Sequence, residues 1–162
     1  MGRQVQVKQA KTVIAIDPGK TTGFAVITYA GESPALLVSR ELGPYAFAMA
    51  LSDEIKAAKE AGASIDVVCE RFVINAQTIK NSQAPFSLEQ IGIMKYVVHS
   101  SGLDPEKIYF QSPSDAKKLF TNDALKKLGF WHVGGGGHAL DAMRHGLLRL
   151  AKTGWVPRVL LE

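Results

Sequence analysis

The 162 residues, 46% hydrophobic and 21% charged, make one globular domain with a sizeable core the expectation. A single cysteine, Cys69, excludes a disulfide framework and a multi-cysteine zinc site, and reads as a buried reduced thiol. The net charge of +4 names no partner by itself.

The cations are clustered, however. Arg3, Lys8, Lys11 and Lys20 lie near the start, Lys117, Lys118, Lys126 and Lys127 in one later segment, and Arg144, Arg149, Lys152 and Arg158 near the end. That distribution suits a polyanionic partner, and it also suits ordinary solvated faces. The opening MGRQVQVKQAK has charge but no apolar signal region, and no apolar run is long enough to span a membrane. A soluble cytoplasmic protein is expected.

In chain order, Lys11–Asp17 reads as a buried strand and residues 23–29 as a second, joined by the turn PGKTT. The GKTT of this turn resembles the close of a phosphate-binding P-loop. That pattern needs a glycine five positions before Gly19, where Ile14 stands, and the residues after Gly23 alternate as a strand does. The P-loop reading fails. Ala35–Leu42 is a third strand, set off by the turn signals of AGESP, which completes an antiparallel meander.

A helix is predicted over 45–61, with Phe47, Leu51, Ile55 and Ala58 on one face and Gly62 ending it. Residues 65–70, IDVVCE, form a short apolar run that ends in a carboxylate and reads as a central parallel strand. Residues 71–86 lack periodicity and read as a loop. Ser87 is expected to cap a helix reaching about residue 101, with Gln90 at the capping-box position. A strand over 107–110 and one or two short helices within 112–128 follow. The glycines 134–137 make a hinge-like loop before a last helix over 138–152. The outcome is an α/β domain spanning 1–162, in the order βββ-α-β-α-β-α on one mixed five-stranded sheet.

Three acidic residues stand out by position. Asp17 ends the first strand, Glu70 ends the central strand, and Asp141 lies in the first turn of the last helix, with His138 three residues earlier on the same face. Sites in open sheets form at the carboxyl ends of strands and the helix starts beside them. Grouped carboxylates repel unless a cation meets them, and oxygen ligands with one imidazole and no thiolate suit Mg²⁺ or Mn²⁺. Two such ions about 4 Å apart support phosphodiester hydrolysis. The dipole at the start of the last helix is expected to keep His138 neutral and available as a ligand. Taken singly, each residue has a plainer role open to it. Asp17 could cap its own turn, Glu70 could pair with Arg71 or a lysine, Asp141 could merely answer the helix dipole, and His138 could be a loop histidine. His145, one turn beyond Asp141 on the same side, could help at the site or merely pack, and packing is the favoured reading.

Together, IDPGKTTGFAVI, VVCERF and GHALDAMRH resemble the RuvC-like Holliday junction resolvases of the RNase H-like superfamily, most closely those of bacteriophages. Asp17, Gly19, Gly23, Glu70, His138 and Asp141 match that family's motifs, and QSPSDAKKLF is similar to its proline-to-lysine stretch. The resemblance spans about residues 11–150. It implies an RNase H-like fold, two Mg²⁺ or Mn²⁺ ions held by Asp17, Glu70, His138 and Asp141, and Lys117 at the phosphate near the scissile bond. It also implies a homodimer formed through the helix at 87–101, paired nicking of four-way DNA junctions, and a host cytoplasmic location if the chain is phage-encoded. Lys20, Lys80, Lys118 and Lys126 are candidates for backbone contacts to branched DNA. The family's aromatic three positions after the Glu is displaced here, with Phe72 at two and Val73 at three.

Two rival classes remain open. The D-x-G-x-x-x-G turn also resembles that of ATP-binding actin and sugar-kinase domains, but those use two copies of the fold around a nucleotide cleft. The other rival is a branched-DNA binding protein without catalysis.

Overall fold

The computed structural model describes residues 9–80 and 84–162, so Arg3 and Lys8 of the first basic cluster lie outside the described residues. Five strands, β1 (Lys11–Asp17), β2 (Thr22–Tyr29), β3 (Ala35–Leu42), β4 (Ser64–Glu70) and β5 (Tyr109–Gln111), form one sheet in the order β3-β2-β1-β4-β5. β1, β2 and β3 pair antiparallel, whereas β4 runs parallel to both β1 and β5. The centre of the sheet is therefore β1, and β4 is the interior strand beside it.

Strand alternation explains why β1 reads as continuously apolar. Val13 and Ala15 point to one face and Ile14 and Ile16 to the other, and both faces are covered. On the first face lies α6 (His138–Lys152), whose Met143, Leu147 and Leu150 pack on Val13, Ala15, Ala25, Ile27 and Val68. On the second lie α1 (Pro44–Glu60) and α3 (Ala84–Ser100), which bury Phe47, Leu51, Ile55 and Met94 against Ile14, Ile16, Phe24, Val67 and Cys69. Cys69 is a buried free thiol on this second face. Among the described residues, no helix is long and apolar enough to cross a membrane.

Three local expectations change. The segment after Glu70 holds a short helix, α2 (Ala76–Lys80), because the Asn75 side chain accepts the N–H groups of Gln77 and Thr78 as a cap does. Residues 81–83 of that predicted loop lie outside the described residues. Ser87 is not a cap: α3 already begins at Ala84, and the buried Ser87 hydroxyl donates to the Pro18 carbonyl at 3.0 Å, tying α3 to the β1–β2 turn. Finally, β5 starts at Tyr109, since Asp104 accepts the Glu106 N–H and winds Pro105–Lys107 into a 3-10 turn. The region 112–128 resolves into two helices, α4 (Pro113–Leu119) and α5 (Asn122–Leu128).

Candidate active site at the strand ends

A row of residues crosses the sheet at the carboxyl ends of its parallel strands. Glu41 of β3 pairs with Gly23 of β2, and Gly23 pairs with Asp17 of β1. Asp17 and Glu70 each stand one residue beyond the parallel pair Ile16–Cys69, and Glu70 pairs with Gln111 of β5. Alternation turns Asp17 and Glu70 to the face that packs on α6, two residues on from Ala15 and Val68. From α6, His138, Asp141 and His145 follow at helical spacing onto the same row.

Gly23 lets the two meet. A Cβ there would sit 1.9 Å from the His138 carbonyl oxygen, so no other residue allows α6 to start this close to β2. His138 Nδ1 then lies 2.9 Å from Asp17 Oδ2, and the carboxylate accepts its proton. Asp141 accepts from Arg144 Nη1 at 2.5 Å on Oδ1, and Lys117 Nζ of α4 lies 3.1 Å from its Oδ2. Glu70 Oε2 is 2.9 Å from His145 Nε2, whose Nδ1 is 3.0 Å from the Gln111 side-chain oxygen. Asp17 thus bonds across to α6, and Glu70 meets a histidine of the same helix.

The electrostatics single out Asp17, which is only 7% exposed. Burial raises its pKa above the ordinary value, His138 pulls it back, and the charges of Glu70 and Asp141 push it up again. Negative potential thus converges on Asp17 from both neighbours. Carboxylates across the fold, which the reading of His138 from the helix dipole alone left out, act on its ring. Its pKa is raised, foremost by the hydrogen bond to Asp17 and against the pull of partial burial, with further support from Asp17, Glu41 and Asp141 charges. One of these carboxylates, Glu41, sits directly on the helix start.

Glu41, Gln111 and Arg144 are residues around the candidate site that the sequence reading passed over, and His145 is one that it favoured as packing. Glu41 Oε2 accepts the Gly136 N–H and Oε1 the His138 N–H, both at 2.9 Å, so a carboxylate from β3 caps α6 where Gly137 cannot. The Gly136 N–H is the foremost reason that Glu41 titrates below its ordinary value. Nothing local in the sequence marks Glu41, because its role follows from strand pairing. His145 did carry a signal: it lies seven residues after His138, on the same helical face. Arg144 is buried and fastens Asp141 to the Phe120 carbonyl and the Asn122 side chain.

Of the predicted DNA-facing residues, Lys117 reaches the site. Lys20 is exposed in the turn after Asp17, its ammonium 5.8 Å from the Phe86 ring. Phe72 is half-buried two residues beyond Glu70, and Lys80 is exposed at the end of α2. Lys118 is exposed on α4, and Lys126 lies over the Trp131 ring at 5.2 Å; no contact joins these two to the carboxylates.

The donor set is three carboxylates and an imidazole, which fits a hard divalent cation. Cys69 faces the other side, and burial, followed by the Asp17 and Glu70 charges, pushes its thiol well up, so it is no thiolate ligand. As the side chains stand, no three His, Cys, Asp or Glu groups among the described residues converge to coordination distance. The carboxylates are held instead by His138, His145, Lys117 and Arg144.

This sheet, three antiparallel strands followed by two parallel ones with α6 across the strand ends, is the RuvC/RNase H-like fold. The chain is similar to the structure of T. thermophilus RuvC in complex with Holliday junction substrate, at a TM-score of 0.62 and 19% identity, over 89% of this chain and 96% of that one. It is also similar to a second Thermus thermophilus RuvC structure, at a TM-score of 0.61 and 16% identity, over 88% and 96% respectively. No protein-family model matches the sequence, and no curated protein matches it.

Proposed function

We propose that this chain is a metal-dependent, structure-selective DNA endonuclease that resolves four-way junctions, and other branched DNA, by paired nicks. One observation carries the reading: Asp17, Glu70, Asp141 and His138 gather at one end of the sheet, and the fields of Glu70 and Asp141 converge on a buried Asp17. Resemblance in the motifs and likeness in fold to RuvC, one example of which is bound to a Holliday junction substrate, point to the same chemistry.

In this reading Asp17, Glu70, His138 and Asp141 hold two Mg²⁺ or Mn²⁺ ions, which when bound activate a water and stabilise the leaving oxygen. Asp17, on which the charges of both other carboxylates act, would be a ligand shared by the ions. Lys117 exchanges Asp141 for the DNA phosphate and steadies its growing charge. Lys20, Lys80, Lys118 and Lys126 supply sequence-independent phosphate contacts, which weaken with salt. Phe72 and the segment after it brace the branch point. Symmetric cutting calls for a C2 homodimer, and the outer side of α3, with Leu88 and Tyr96 exposed one and three turns from its start, is the surface we assign to it.

The test is cleavage of a synthetic four-way junction beside a linear duplex of the same sequence, in Mg²⁺, Mn²⁺ and chelator. Paired, ligatable nicks confined to the junction are expected. Asp17→Asn should abolish them while leaving junction binding largely intact; normal cutting by that variant would remove Asp17 from the ligand set. A second reading, a branched-DNA binding protein without catalysis, draws on the pairing of all three carboxylates with basic side chains of the protein itself. Tight junction binding with no cutting in either metal would favour it.

A further inference from the structure

Glu70 is the one candidate ligand whose partner is almost wholly buried. His145 is 1% exposed and Gln111 5%, and together they reach from α6 and β5 to a single oxygen of Glu70. An apolar side chain would suit a position as buried as 145. Nor is a fastener between α6 and β4 wanting. One helical turn further on, Arg149 Nε donates to Asp66 Oδ2 at 2.8 Å, with its guanidinium 3.3 Å from the Tyr109 ring centre. Arg149 and Asp66 lie four residues from His145 along α6 and from Glu70 along β4, and their bond secures the helix away from the site. The His145 group has a different property. A buried histidine with both ring nitrogens partnered holds one arrangement rigidly.

We infer that His145, set by Gln111, is a positioning residue for Glu70. It fixes the carboxylate through Oε2 and turns Oε1 to the cation that the proposed nuclease reading requires, on which this inference rests. The proton accounting supports it. A carboxylate oxygen accepts only, so Nε2 carries a proton toward Glu70. At Nδ1, the Gln111 amide accepts through its oxygen or, turned over, donates through its nitrogen. Gln111 therefore satisfies His145 as a neutral ring or as an imidazolium, and in both the Nε2 proton stays on Glu70. An acidic or basic residue at 111 would lack this tolerance. Partners of this kind behind a metal ligand typically change metal affinity 10- to 100-fold when removed.

Mn²⁺ binding, followed by calorimetry on the whole chain without DNA, provides the test. The unaltered chain should bind Mn²⁺, and Asp17→Asn should lose most of that binding. His145→Phe, which keeps the bulk and removes the donor, should weaken Mn²⁺ binding about 10-fold or more. His145→Gln, which restores an N–H donor, should recover most of the loss. If Asp17→Asn binds Mn²⁺ as the unaltered chain does, the nuclease reading fails. If Asp17→Asn loses binding but a folded His145→Phe does not, the positioning role alone fails. Should His145→Phe not fold, nitrogen-detected histidine spectra of the unaltered chain decide the matter. A protonated Nε2 whose signal moves with Mg²⁺ at the binding midpoint is expected; an unprotonated Nε2, or a signal blind to Mg²⁺, overturns the inference.

Discussion

Replacing Gly23 with alanine tests the join between sheet and helix on which the whole site depends. The added Cβ would lie 1.9 Å from the His138 carbonyl oxygen and 2.3 Å from its carbon, where real contacts of this kind do not fall below 3.0 Å. The obstacle is backbone, so no side chain can swing aside, and the first turn of α6 must retreat by about 1 Å. The backbone at Gly23 is not left-handed, so the whole cost is steric. Overpacking of this sort costs about 1–3 kcal/mol, and a backbone obstacle belongs at the upper end. For a chain of this length, about 2–3 kcal/mol lowers the melting temperature by about 4–12 °C. The same retreat is enough to break the 2.9 Å bond between His138 and Asp17, because such bonds fade beyond about 3.2 Å. Calorimetric melting and Mn²⁺ titration should therefore both change. A Gly23→Ala protein that melts and binds Mn²⁺ like the unaltered chain would refute the argument.

Lys117→Ala should lower cleavage of a four-way junction more than affinity for it, since Lys117 reaches Asp141 within the site; equal losses in single-turnover and gel-shift assays would make it a binding residue only. Glu41→Ala removes the acceptor of two helix-start N–H groups and should cost about 1 kcal/mol in urea unfolding, whereas Glu41→Gln should recover part of it. In chelator, the raised pKa of His138 gives a stabilising contribution that is complete below 6.5 and lost as pH rises through the higher native value. Urea unfolding across that range should show the decline in the unaltered chain and a flatter profile in His138→Gln. An equal decline in both would mean that the His138–Asp17 pair is not its source.

The sequence determined the elements and most of the site because both follow from local patterns. Continuous apolar runs at Lys11–Asp17 and before Glu70 mark strands covered on both faces, and the spacing of His138, Asp141 and His145 marks one face of a helix. Strand alternation then carries Asp17 and Glu70 to the face of Ala15 and Val68 without any further information. The pairings were not local. Asn75 capping α2 and Asp104 winding the turn before β5 are short-range bonds that periodicity does not register, and Ser87 reaches Pro18, 69 residues away in the chain. Glu41 entered the site through its register with Gly23, 18 residues earlier in the chain, and met a helix start 97 residues later. His138 is predicted neutral from its place at a helix start alone, yet Asp17, 121 residues away, raises its pKa. Which residues could act was legible in the chain; which oxygen faces which nitrogen was decided only when α6 came down on the strand ends, because burial and hydrogen bonding depend on what lies across the fold.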